Sequence, residues 1–115
     1  LILEDIPANA KSLALIVDDP DAPMGTFTHW LVWNILPETK ELKGKINFPQ
    51  GTTDFRKTSY GGPCPPSGTH RYFFKLFALD VILELAEGAS RQELEQAMQG
   101  HIIEKAELMG KYQRK

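Results

Sequence analysis

The sequence predicts a mainly β domain with helical structure confined to its C-terminal third. Three segments carry that expectation: a continuous apolar run from Ser12 to Val17, an aromatic and branched stretch from Thr28 to Leu36, and an alternating stretch from His70 to about Asp80. β-Branched and aromatic residues suit a packed, pleated surface, and each run is bounded by proline, glycine or aspartate.

Taken in order, Ser12-Leu13-Ala14-Leu15-Ile16-Val17 is apolar on both alternations and reads as a strand buried on both faces. Asp18 to Gly25, with Pro20, Pro23 and three aspartates, reads as a loop. In the second strand, period-two geometry groups His29, Leu31, Trp33 and Ile35 on one face and Trp30, Val32 and Asn34 on the other. Residues 37–69 are polar around a weak centre at Ile46 to Phe48. Their end, Tyr60-Gly61-Gly62-Pro63-Cys64-Pro65-Pro66-Ser67-Gly68, is neither helix nor central strand, because its prolines lack donors and its glycines resist ordering. The third strand sorts His70, Tyr72, Phe74, Leu76 and Ala78 from Arg71, Phe73, Lys75, Phe77 and Leu79, so His70 and Tyr72 point the same way. Ser90-Arg91-Gln92-Glu93 is a capping box that opens a helix. Leu94, Ala97, Met98, His101 and Ile102 recur at helical spacing, with Gly100 dividing the pattern into one helix or two, and Leu108 to Lys115 reads as a closing strand or a frayed end.

The chain has 115 residues, 42% hydrophobic and 24% charged, enough for one domain with a core of its own. Without internal repeats or linkers, residues 1–115 read as one domain. A net charge of −2 argues against a broad basic footprint for nucleic acid. The apolar runs are far shorter than the roughly 20 residues that span a bilayer, which argues against an integral membrane protein. Cys64 is the one cysteine, and no signal-peptide pattern opens the chain. A reducing, cytoplasmic compartment is the expectation.

Three features bring unusual polar residues to strand ends: the acidic loop Asp18-Asp19-Pro20-Asp21-Ala22-Pro23, His29, and the Gly/Pro loop running into His70-Arg71-Tyr72. An isolated Asp-Pro-Asp is more commonly a turn former, and a lone histidine at a strand start is more commonly structural. Together they are more telling, since loops of strands that share a sheet can converge at one end of it. Two imidazoles and a phenol supply switchable donors, and the amides of Gly61, Gly62 and Ser67 to Thr69 could form an anion-binding nest. Asp19 opposes an anion unless it fixes a histidine tautomer or receives an amine of the same ligand. An unperturbed histidine pKa of about 6.5 would make such binding pH-sensitive.

Asp-Pro-Asp-Ala-Pro, Thr-His-Trp-Leu-Val-Trp-Asn and Gly-Gly-Pro-Cys-Pro-Pro-Ser-Gly-Thr-His-Arg-Tyr, in this order, resemble the phosphatidylethanolamine-binding protein family, also called the Raf kinase inhibitor protein-like family. The Cys-Pro-Pro version of the loop is that of its bacterial and archaeal members, and the resemblance runs from about Lys11 to Tyr112. It implies a Greek-key β-sandwich with one or two peripheral C-terminal helices. It also implies a small anion pocket lined by Asp19, Pro23, His29, His70 and Tyr72, with Gly62 and Pro63 supplying loop backbone. Arg71, on the opposite strand face, is expected to pair with Asp21 as structural support. Two features depart from the family. Only ten residues precede Lys11, so the domain is expected to lack the family's N-terminal segment and to leave a sheet edge or apolar face for another segment, another chain or a second copy in a homodimer. Gly51-Thr52-Thr53-Asp54-Phe55 also differs from the usual pattern.

The leading functional expectation is binding of a small anionic, phosphate-bearing ligand such as a phosphatidylethanolamine-like headgroup. A regulatory role toward a protein partner, as in kinase- or protease-inhibiting relatives, is carried by resemblance alone. No cofactor, metal or catalytic residue is assigned. The alternative is a hydrolase in which Asp19 orients a histidine as base. Cys64 is its one nucleophilic candidate, and the flanking prolines offer no charge to stabilise a thiolate. A metal site of Asp19, His29 and His70 lacks short ligand spacing and leaves Tyr72 unexplained. A scaffold with an idle pocket is the fourth reading.

Overall fold

In the computed structural model, which describes residues 2–22, 25–42, 46–56, 58 and 69–113, the chain is mainly antiparallel β with one helix. Strands β1 (Ser12–Asp19), β2 (Phe27–Ile35), β3 (Thr69–Leu79) and β4 (Ile102–Gln113) flank helix α1 (Arg91–Met98), which lies between β3 and β4 in the chain. One four-stranded sheet results, in the order β2-β1-β3-β4. β1 and β2 pair directly. The chain then crosses to the other edge of β1, where β3 pairs antiparallel from Ser12↔Leu79 to Asp18↔Phe73.

β1 is central, and every residue of it is buried, as its doubly apolar pattern predicts. Ala14 and Ile16 join Leu31, Trp33, Phe77 and Leu79 beneath Leu94 and Met98 of α1. Leu13, Leu15 and Val17 join Trp30, Val32, Ile35 and Ala78 on the other face, covered by Leu3 and Leu42 with Ile6, Ile46 and Phe48 packed alongside. Both tryptophans are therefore core, one on each face. β1 also runs further than its apolar residues suggest, for Asp18 and Asp19 are its last two residues rather than the start of a loop.

The strict alternation expected for β2 fails twice, and each failure is a bulge. Leu13 pairs with Ile35 while Leu15 pairs with Val32, so β2 holds one extra residue there. Asn34 sits in the break at a φ of 54°, in the left-handed region that asparagine tolerates better than most residues. Ile35 consequently joins the face of Trp30 and Val32 instead of that of Leu31 and Trp33. The Asn34 amide replaces the lost ladder: Nδ2 donates to the Leu83 carbonyl at 2.9 Å and Oδ1 accepts from the Leu83 N–H at 2.8 Å. The second bulge lies between Val17↔Trp30 and Asp18↔Thr28 and leaves His29 as the extra residue.

The outer edge of β2 is covered by residues 49–54. Trp33 donates to the Pro49 carbonyl, Gly51 to the Leu31 carbonyl, and Thr28 and Asp54 bond each other's backbone carbonyl and carboxylate. Glycine is required at 51, because a Cβ there would lie 2.6 Å from the Ala89 carbonyl oxygen and 2.8 Å from Leu31 Cδ1. The capping box at Ser90 forms in both directions, with Glu93 N–H donating to Ser90 Oγ at 3.1 Å and Ser90 N–H to Glu93 Oε1 at 3.0 Å. The helical pattern does not continue past Gly100, whose φ of 83° turns the chain. Of the expected one or two C-terminal helices, one is present among the described residues. Ile102 begins β4, and His101, not on a helix face, bonds Asp80 at 2.9 Å. Glu104, Lys105 and Glu107 put charge on both alternations of β4, which hides its period in the sequence.

Asn34→Ala should lower unfolding stability by about 1–3 kcal/mol, since it strands the Leu83 amide and carbonyl and places a Cβ-bearing residue without compensation at positive φ. Urea unfolding checks this, and an unchanged midpoint would contradict the role assigned to the bulge.

Candidate functional site

Where β1 ends and β3 begins, four side chains gather on the face that carries Val17 and Phe74. Asp19, His29, His70 and Tyr72 are all at least nine-tenths buried. Asp19 uses both carboxylate oxygens: Oδ2 lies 2.6 Å from His70 Nδ1, and Oδ1 accepts the Asp21 N–H at 2.8 Å, which folds the turn back on itself. An ionised carboxylate only accepts, so with Asp19 ionised the proton of this short contact belongs on Nδ1. The contact has the geometry of a tautomer-fixing carboxylate, one of the roles the sequence allows for Asp19.

His29 reaches the site through the bulge. The ring stands edge-on to Tyr72, with centroids 5.0 Å apart, and is flanked by Phe27 at 5.0 Å and Phe55 at 5.2 Å. Phe27 and Phe55 themselves meet edge-on at 4.8 Å. Strict alternation would have sent His29 to the face of Leu31 and Trp33, away from Tyr72; the extra residue re-aims it. Phe55 is positioned by its own turn, in which the Phe55 N–H donates to Thr53 Oγ1 at 3.1 Å. The two phenylalanines have no clear sequence signal: Phe27 stands just ahead of the recognisable strand, and Phe55 lies in a polar stretch.

Arg71 points away from these groups and grips Asp21. Nε donates to Oδ2 at 2.9 Å, the terminal nitrogen to Oδ1 at 2.8 Å, and the Arg71 backbone N–H also reaches Oδ2 at 2.9 Å. The guanidinium also lies 5.6 Å from the centroid of the Phe73 ring. The acidic turn is therefore tied to the start of β3 twice, by Asp19 to His70 within the site and by Asp21 to Arg71 on the exposed side. Hydrogen bonding from Arg71 holds the Asp21 carboxyl well below the usual carboxylate range and raises the guanidinium further. Pro23, Gly62, Pro63 and Cys64 lie outside the described residues, as do the glycine amides expected to form a nest.

Behind the site, on the face of α1, Asp18 is wholly buried. Its Oδ2 accepts from Lys75 Nζ at 3.0 Å and is ion-paired with an Arg91 terminal nitrogen 2.8 Å away. The same Arg91 nitrogen donates to Thr28 Oγ1 at 3.1 Å. Nothing in the sequence singles out this cluster, whose two cations lie 57 and 73 residues beyond Asp18. Among the described residues, no group of three or more His, Cys, Asp or Glu side chains is placed to hold a metal ion, and no helix is long and apolar enough to cross a membrane.

The family model of phosphatidylethanolamine-binding protein matches residues 1–113. The chain belongs to the phosphatidylethanolamine-binding protein family. Its similarity extends to a UPF0098 protein of Pyrococcus abyssi, 52% identical over all of this chain and 71% of that protein, and to another of Pyrococcus horikoshii, also 52% identical, of which the chain spans 64%. Among solved structures, a phosphatidylethanolamine-binding protein homologue from Chlamydia trachomatis superposes with a TM-score of 0.96 at 43% identity, over 99% of this chain and 79% of that one. YbcL of Escherichia coli, described as a member of the mammalian family, superposes with a TM-score of 0.84 at 31% identity, over 96% and 76%.

Because the Asp21 pKa is lowered on folding, the pair contributes stability above the ordinary carboxylate range and loses it as pH falls below that range. Exposure to solvent keeps the contribution small. Carboxyl-carbon NMR should show Asp21 titrating well below 3.8, its ordinary value, and Arg71→Ala should move it toward that value, short of full return because the residue-71 backbone N–H still donates to it. A normal titration in the unsubstituted protein would contradict the pairing.

Proposed function

We propose that the chain binds small phosphate-bearing anions at the end of the sheet where Asp19, His29, His70 and Tyr72 meet. The observation that carries this reading is the buried Asp19–His70 contact facing a second imidazole and a phenol. In this reading His70 Nε2 meets the ligand, as a donor to an anion oxygen when the ring is charged and as an acceptor for a protonated phosphate oxygen when it is neutral. Pro23 and the backbone of Gly62 and Pro63 complete the pocket in this reading, and the ethanolamine ammonium of a lipid headgroup would find acidic partners at the turn. Family membership supports ligand binding in general terms. With this reading go the family's Greek-key sandwich, which apolar packing on both sheet faces supports, and a cytoplasmic location.

The Asp19–His70 arrangement also suits a general base held by its orienting carboxylate, the hydrolase alternative. Two measurements separate the readings. Titration with inorganic phosphate and with phosphoethanolamine should move the imidazole resonances of His29 and His70, and His70→Ala should abolish saturable binding, while vesicles with and without phosphatidylethanolamine distinguish a lipid source from a free one. Absence of any shift at either histidine overturns the proposal. Turnover of simple esters or phosphate monoesters that is lost in His70→Ala would favour the hydrolase.

A further inference from the structure

We propose that Arg91, on the opposite side of the sheet from the pocket, is a positioning residue for it. This rests on the anion-pocket reading above and concerns what holds that pocket in shape. Arg91 opens α1, and one of its terminal nitrogens donates to Thr28 Oγ1 at 3.1 Å and is ion-paired with Asp18 Oδ2 at 2.8 Å. Asp18 and Thr28 are partners in the β1–β2 ladder, and they form the first pair beyond the bulge that holds His29. Each is also the chain neighbour of a pocket residue, Asp18 of Asp19 and Thr28 of His29. A single nitrogen from the helix therefore clamps the two strands at the rung where one delivers the pocket carboxylate and the other its first imidazole.

The electrostatics make the clamp consequential. Asp18 is wholly buried, and among the described residues its Oδ1 has no hydrogen-bond partner, so the compensation from Lys75 and Arg91 falls on Oδ2. A buried carboxylate with one unsatisfied oxygen has little to spare. Without Arg91, Lys75 alone would face it, Thr28 Oγ1 would lose this donor, and the Asp18–Thr28 rung would be free to shift or to admit water. A shift of the rung is passed along the backbone to Asp19 and His29. Glu95, 3.5 Å from Arg91 Nε, aligns the guanidinium from the next turn of the helix.

The test compares the unsubstituted protein with Arg91→Ala, Arg91→Lys and Ile35→Val, the last trimming a buried methyl at the far end of β2. In the ligand-free proteins, Arg91→Ala should move the His29 ring resonances and weaken its contacts to Tyr72, with Arg91→Lys intermediate and Ile35→Val unchanged despite lower stability. With inorganic phosphate, Arg91→Ala should bind roughly tenfold more weakly or worse, the scale on which contacts behind a site tune it, and Ile35→Val should bind normally. Unaltered His29 resonances in Arg91→Ala overturn the inference, as does an affinity loss in Ile35→Val as large as in Arg91→Ala. Should phosphate fail to bind the unsubstituted protein, the pocket reading falls, and the ligand-free spectra still decide whether Arg91 positions His29.

Discussion

Two consecutive carboxylates at the end of the most deeply buried strand are the constraint on which the rest of the structure depends. Strand geometry sends Asp18 and Asp19 to opposite faces of the sheet, and neither face there is open to water. A buried carboxylate needs partners, since leaving it uncompensated costs several kcal/mol or more on the order of ionic desolvation. Each face answers differently. On the helix side, Lys75 and Arg91 converge on one oxygen of Asp18 and so fasten α1 to the sheet. On the other side, His70 and the backbone of the acidic turn occupy both oxygens of Asp19.

The bulge in β2 has meaning only beside that arrangement. A regular ladder would have carried His29 to the helix side, where the Asp18 cluster already satisfies the local charge. One extra residue brings the imidazole round to Tyr72 and into the ring of Phe27 and Phe55. Residues 49–54 then cover the β2 edge and supply Asp54 to cap the Thr28 amide, so the same segment that completes the sheet also delivers Phe55. Fold and site are thus built from shared parts: the strand ends that bury charge are the ones that gather the polar side chains.

How much of this is legible in the sequence follows from the kind of signal each part leaves. β1, β2 and β3 announce themselves through dense apolar and aromatic composition, and period-two spacing alone puts His70 and Tyr72 on one face with Arg71 behind. The Asp21–Arg71 pair was expected beside the family resemblance and is present; alternation alone gives only the face of Arg71. What composition does not encode is register. The bulges at His29 and Asn34 depend on how β1 lies against β2, so Ile35 and His29 were assigned to the wrong faces by alternation. β4 carries charges on both sides because it is an edge strand, and Ile102 falls by coincidence on the spacing of α1. Arg91 looks like a solvated residue in a capping box, and only the packing of α1 on the sheet reveals that it meets Asp18.

We infer that the buried Asp19 carboxylate fixes the tautomer of His70, and with it the chemistry the site can offer. Long-range proton–nitrogen NMR of the His70 imidazole reads this directly. Neutral His70 should carry its proton on Nδ1, and Asp19→Asn should release this constraint. A neutral His70 carrying its proton on Nε2 in the unsubstituted protein would contradict it.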